Sequence, residues 1–332
     1  MNMSDALLEI RNLTTQFRTD KGTFPAIAGV HFTINKGEIV CIVGESGSGK
    51  TVASLSAMQL LPPAGQIASG EIWFEGRDLT KLSKKQLSQI RGKSMSMIFQ
   101  DPMMALDPVF TCGSQIVEAI RLHESVSRSA AYKRAVELLD HVGIAHPSRV
   151  MEAYPHELSG GMCQRIMIAM ALSCSPKLLI ADEPTTALDV TVQAQILELL
   201  KRIRSETGMS IMLITHDLGV VAEMADRVAV MYAGKVMEEG DVRSIFRNPR
   251  HPYTQGLIRS IPQPGQRGGK LHSIAGNVPG IGSMPTGCRF HPRCADATDA
   301  CRRSEPDLIE TEEGCKARCW KAHPSWEEEE AG

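Results

Sequence analysis

The sequence predicts an α/β fold: a strand–loop–helix core, a β-rich opening, a helical insertion and a small irregular C-terminal region. Three observations carry the prediction. Short apolar runs, as in 39–43, 177–183 and 210–214, alternate with stretches of helical periodicity such as 190–206. The first of those runs empties into the glycine-rich segment Gly44-Glu45-Ser46-Gly47-Ser48-Gly49-Lys50-Thr51. After about residue 246, proline and glycine become frequent and apolar periodicity fades.

The glycine-rich segment fits the pattern G-x-x-x-x-G-K-[ST], between a buried strand and a helix over 52–61 that Pro62-Pro63 should stop. Glycines let the backbone curl so that successive N–H groups face one concavity, and the helix start adds its partial positive charge there. Lys50 supplies a point charge for the β- and γ-phosphates, and the Thr51 hydroxyl is placed to ligate Mg²⁺. This context predicts a P-loop NTPase core that binds a nucleoside triphosphate.

Composition narrows the remaining classes. The chain has 332 residues, 42% of them hydrophobic, which is ample for a core. Its net charge of −2 argues against a general nucleic-acid binder. No apolar run approaches the length of a membrane span, and the first residues lack a secretory pattern, so a cytosolic location is expected. Nine cysteines are unevenly spread, with five between Cys288 and Cys319. In a reducing compartment that clustering points to metal rather than to disulfides.

In chain order, 6–38 reads as an opening β region, with strand character at 7–10 and 29–34. Phe17 is a candidate stacking platform for a base. A strand at 70–76 ends in a turn, and 84–91 forms a polar helix. The short strand at 95–99 delivers Gln100 to a loop, where its amide could ligate Mg²⁺ or orient water; Pro102 disfavours helix at Asp101. From 112 to 153 the pattern is helical, with Ile116, Ala119 and Ile120 on one face and Ala135, Leu138, Leu139 and Val142 on another. Leu158-Ser159-Gly160-Gly161-Met162 then opens a helix through about 174, with Ser159 as N-cap, giving a second anion-binding helix start.

The strand at 177–183 ends in two carboxylates. Asp182 suits Mg²⁺, and Glu183 is a candidate to polarise an attacking water. The helix at 190–206 should face Val192, Ile196, Leu199, Leu200 and Ile203 inward. The strand at 210–214 leads to His216, which could reach a γ-phosphate. A strand pair at 227–240 turns at Ala233-Gly234, a boundary falls near residue 250, and Glu327-Glu328-Glu329-Glu330 forms a solvated acidic end.

The phosphate loop, Gln100, Leu158-Ser159-Gly160-Gly161, Asp182-Glu183, Ala187-Leu188-Asp189 and His216 occur in the order of an ATP-binding-cassette ATPase, which this sequence resembles over 6–250. Met162, His251-Pro252-Tyr253-Thr254 and Gly287-Cys288-Arg289-Phe290-His291-Pro292-Arg293-Cys294 extend the likeness. They make the chain similar to the D-type ATPase subunits of dipeptide and oligopeptide importers, whose relatives import nickel or glutathione. The resemblance implies a RecA-like core with an antiparallel β subdomain and a helical insertion at about 102–160, followed by an extension over 251–326. It also implies ATP and Mg²⁺ as ligands, with Glu183 as general base, His216 on the γ-phosphate and Gln100 on Mg²⁺.

Ser159, Gly160 and Gly161 would close over ATP held by a second, homologous ATPase, and Asp189 would act across that interface. Two membrane permease subunits and an extracytoplasmic peptide-binding protein complete the implied assembly at the cytoplasmic face of the membrane. A soluble cassette acting on ribosomes or DNA is the rival reading; such proteins generally carry two cassettes or a coiled-coil insertion. Phe17 stands where the family commonly has Tyr.

Five and six residues separate Cys288, Cys294 and Cys301, looser than the pairs of structural zinc sites, and four thiolates could equally hold an iron–sulfur cluster. The related importers carry a [4Fe–4S] cluster with 17 residues between the third and fourth ligands. By that resemblance Cys288, Cys294, Cys301 and Cys319 are the ligands of a metal-stapled tail, and Cys315 is spare.

Overall fold

Strand Ile39–Val43 is buried at all five positions, as an apolar β-branched run is when it forms the inside of a sheet. It pairs in parallel with Arg227–Tyr232, in the register Val40↔Arg227 to Val43↔Val230. The computed structural model describes residues 5–186, 188–261, 273–311 and 315–323. Ala187, the Pro/Gly positions Pro262, Pro264, Gly265, Gly268 and Gly269, and the acidic run Glu327–Glu330 lie outside the described residues.

The chain groups into two units. One comprises 8–34, 39–80 and the chain from 215 onward, and it carries the phosphate loop. Here Ala6–Thr19, Gly22–Asn35, Gly65–Phe74 and Arg77–Asp78 form a four-stranded sheet in which the first strand lies between the second and the third. The first and third run antiparallel from Leu8↔Phe74 to Phe17↔Gly65. Both opening strands extend well beyond the apolar stretches at 7–10 and 29–34, because backbone pairing tolerates polar residues on an exposed face.

The phosphate-loop helix is Lys50–Met58, three residues shorter than 52–61 implies at its end. Gln59 takes a left-handed C-cap (φ 50°) and closes the helix before the prolines are reached. Arg227–Tyr232 turns at Ala233-Gly234, both at positive φ, into the antiparallel strand Lys235–Asp241.

The tail belongs to this same unit and is more regular than its composition suggests. It contributes helices Pro252–Arg259 and Asp299–Arg303 and two short strands. Lys316–Ala317 pairs with Lys235–Asp241, and Ile309–Glu310 pairs with Lys316–Ala317. Arg318 donates to the Met237 and Val236 carbonyls (2.7 and 3.0 Å), and Lys235 bridges Glu305 at 2.6 Å. These bonds anchor the tail to the sheet. Period-based reading misses two-residue strands because two residues carry no pattern.

The other unit comprises, of the described residues, 5–7, 35–38 and 81–214. Strands Met95–Ile98, Leu178–Asp182 and Ser210–Thr215 run parallel, in the registers Ser96↔Leu179 and Ile180↔Met212. A short helix Pro102–Ala105 follows Gln100, with Pro102 in its first turn and Asp101 as N-cap. Pro102 thus starts a helix one residue after the position it excludes from one. Helices Cys112–His123, Arg128–His141, Pro147–Glu152 and Gly160–Leu172 bury Ile116, Ile120, Ala135, Leu139, Val142, Met151 and Ile166. Each large apolar side chain so buried contributes about 1.5–3 kcal/mol. Helix Val190–Thr207 buries Ile196, Leu199, Leu200 and Ile203, while Val192 is half-buried beside Gly161.

Candidate nucleotide site

The phosphate loop runs from Gly44 to Thr51, and two of its glycines are obligatory. Gly44 has φ +152°, and a Cβ there would stand 2.1 Å from the Met231 carbonyl oxygen. Gly49, the N-cap of helix Lys50–Met58, has φ +100°, and its Cβ would meet the Ile27 side chain at 2.8 Å. A side chain at Gly47 would meet nothing within 4 Å, so the middle of the loop borders open space.

Lys50 is buried, and its ammonium donates to the Gly44 and Glu45 carbonyls at 2.8 and 3.1 Å. Ser48 Oγ is fully buried without a hydrogen-bond partner among the described residues. A glycine-rich helix start, a lysine folded onto the loop's own carbonyls and an orphaned hydroxyl suit a polyphosphate. Thr51 and Ser46 are exposed.

Asp182 ends strand Leu178–Asp182 and is 2% exposed. The next residue, Glu183, takes a left-handed backbone (φ 46°) that costs a non-glycine residue about 1–2 kcal/mol. Its N–H donates to the Ile214 carbonyl at 2.9 Å. The turn separates the two carboxylates. Glu183 Oε2 accepts from Gln100 Nε2 at 3.2 Å and from Thr186 Oγ1 at 2.9 Å. Sequence places Gln100 and Glu183 83 residues apart, and the parallel pairing of their strands brings them together.

Ser159 caps helix Gly160–Leu172, accepting from Met162 N–H at 3.4 Å, and Ser159 and Gly160 are exposed. A Cβ on Gly160 would meet nothing within 4 Å. Asp189 is also exposed and caps helix Val190–Thr207 through Val192 N–H at 3.0 Å. His216 follows strand Ser210–Thr215 and is exposed. Phe17 is half-buried, with its ring set against Gly65, where an added Cβ would stand 3.0 Å away.

Cys288, Cys294, Cys301 and Cys319 line one cavity of about 20 Å³, together with His251, His291 and Asp296. Cys315 lies elsewhere, against Gly240. Burial pushes the Cys288 thiol up to about 11 and the Cys319 thiol up to about 12, and lifts Cys294 as well. Among the described residues no group of three or more His, Cys, Asp or Glu side chains could hold a metal ion as it stands. The described geometry therefore does not carry the metal-stapled description of the tail.

Several residues on the phosphate loop escaped the sequence reading. Tyr253, fully buried, accepts the Glu45 N–H on its hydroxyl at 2.9 Å. Arg293 forms a two-pronged bridge to the Glu45 carboxylate at 2.6 and 2.9 Å. Phe290 packs edge-on against Tyr232 and also touches Tyr253 and His251. The segments holding these residues stood out as family marks, but nothing in their spacing linked them to a loop some 200 residues away.

Comparison with known proteins places these features together. The ABC transporter family matches residues 27–186, and the oligopeptide/dipeptide transporter C-terminal region matches 237–301. The oligopeptide transport ATP-binding protein AppD of Bacillus subtilis is 52% identical over 315 residues, covering 95% of this chain and 96% of the relative. The dipeptide transport ATP-binding protein DppD of Escherichia coli is 48% identical over 314 residues, with the same coverage. Among solved structures, the ATP-binding cassette MJ0796, a post-hydrolysis dimer bound to ADP and Pi, superposes with a TM-score of 0.65. It is 28% identical and covers 71% of this chain and 99% of its own.

Proposed function

The chain belongs to the ABC transporter family, and from that premise we propose that it is the ATP-binding and ATP-hydrolysing subunit that powers a peptide importer. The observation carrying this reading is a near-full-length likeness to oligopeptide and dipeptide transport ATP-binding proteins, through the phosphate loop and the tail alike. Functionally the chain divides into a nucleotide-binding domain over 6–250 and an extension over 251–326.

Each site residue then has a role. Gly44, Glu45, Ser46, Gly47, Ser48 and Gly49 cradle the triphosphate, Lys50 neutralises its β- and γ-phosphates, and Phe17 stacks on the base. Thr51, Gln100 and Asp182 would hold Mg²⁺, which would offset charge on the phosphoryl oxygens. Glu183 takes a proton from the attacking water, held in place by Gln100 and Thr186, and His216 contacts the γ-phosphate. Ser159, Gly160 and Gly161 present a bare helix start to the nucleotide of a second, homologous ATPase, and Asp189 works across the same interface. The exposure of Ser159, Gly160 and Asp189 supports that assignment.

Two permease subunits dock on the unit carrying the helical insertion, where Met103, Met104, Val109 and Phe110 are 44–85% exposed. An extracytoplasmic peptide-binding protein acts through the permease, and the subunit works at the cytoplasmic face of the membrane. No described helix is long and apolar enough to cross a membrane. Cys288, Cys294, Cys301 and Cys319 would hold a [4Fe–4S] cluster once drawn together around it; the support is that these four thiols share one cavity and Cys315 does not.

Affinity purification of the tagged chain tests the reading. Recovery with integral membrane subunits supports it; recovery with ribosomes would overturn it. In parallel, Lys50→Ala should weaken ATP binding, and unchanged binding would remove the loop from the site.

A further inference from the structure

The segment from Cys288 to Cys294 holds the phosphate loop at two points. Arg293, with a side chain 5% exposed, grips both oxygens of Glu45. Its other donors reach the Ala275 and Ile274 carbonyls and the Tyr232 hydroxyl, and the guanidinium lies over the rings of Tyr232 and Phe290. Four residues earlier, buried Arg289 donates to the Ala233 carbonyl. The next residue, Gly234, donates its N–H to the Ser48 carbonyl of the phosphate loop at 2.8 Å. Phe290, between the two arginines in sequence, packs against Tyr232 and Tyr253.

Glu45 is an awkward neighbour for a polyphosphate. Its carboxylate belongs to the very loop whose amides are to receive a polyanion, and like charges at such range repel. A bidentate guanidinium cancels that charge and fixes the direction of the carboxylate.

We propose that Arg293 is a positioning residue for nucleotide binding: from the cysteine-bearing tail it neutralises and tethers Glu45, so that the phosphate loop accepts a polyphosphate. The inference rests on the reading of residues 44–51 as a nucleotide site.

The test is a titration of the full chain with a fluorescent ATP analogue and Mg²⁺, with melting temperatures measured alongside. Arg293→Gln should weaken binding on the order of tenfold, because Glu45 is then left charged and unheld. Adding Glu45→Gln should restore most of that loss, since the repelling charge has gone. Arg293→Lys, which keeps the charge and loses the fork, should fall between. A mere brace predicts the opposite order, with the double variant no tighter than Arg293→Gln. That result, or unchanged binding by Arg293→Gln, would overturn the proposal while leaving the nucleotide site intact. Failure of the unaltered chain to bind the analogue would overturn both.

Discussion

Replacing Glu183 by Gln isolates the proton-accepting role from everything else the residue does. The side chain makes two hydrogen bonds through Oε2, from Gln100 Nε2 at 3.2 Å and Thr186 Oγ1 at 2.9 Å. Glutamine has nearly the same volume and keeps one acceptor oxygen, so both donors remain satisfied. The left-handed backbone at φ 46° burdens either residue equally. Exchanging a charged acceptor for a neutral one should therefore cost about 1 kcal/mol of stability or less. An amide, however, cannot take a proton from water, and a positioned general base contributes about 10²–10⁴-fold. Steady-state phosphate release by the assembled transporter should fall by that factor, while ATP affinity stays within about twofold and the closed ATPase pair accumulates. Turnover within about tenfold of the unaltered protein would refute the assignment. A parallel loss of affinity would instead make Glu183 a binding group.

Gly44→Ala forces a Cβ to 2.1 Å from the Met231 carbonyl, so it should abolish analogue binding and destabilise by more than about 3 kcal/mol. Gly47→Ala, with open space around it, should cost only about 1–2 kcal/mol for its φ of +80°. Thermal melts of the two distinguish these outcomes. Tyr253→Phe keeps the ring packing against Tyr232 and Phe290 but orphans the Glu45 N–H, a loss of about 1–3 kcal/mol that a denaturant titration would register. Anaerobically purified chain should contain iron and absorb near roughly 400 nm. Cys319→Ser should remove both signals and Cys315→Ser neither; iron-free, colourless protein would reject the cluster.

Much of this architecture could be read in advance because its signals are local. The strand–loop–helix around Lys50, the N-cap Ser159 and the turn at Ala233-Gly234 each rest on a few adjacent residues, and each stands where its pattern implies. The Glu183–Gln100 contact needed the order of the strands, which no spacing along the chain encodes. The tail was read least well. Its strand Lys316–Ala317, the Phe290–Tyr232 contact and the Arg293–Glu45 bridge depend on partners about 60 to 250 residues distant, and proline-rich composition hides them.

The strand Lys316–Ala317 lies along the outer side of Lys235–Asp241, with Ile309–Glu310 beyond it. A chain truncated after residue 250 would bare that rim, with amides and carbonyls open to any passing β-strand. The extension thus doubles as a built-in cover against sheet-to-sheet clumping. Separating the catalytic portion for study calls for a replacement cover, such as a charged or proline substitution along the rim, rather than a simple stop codon.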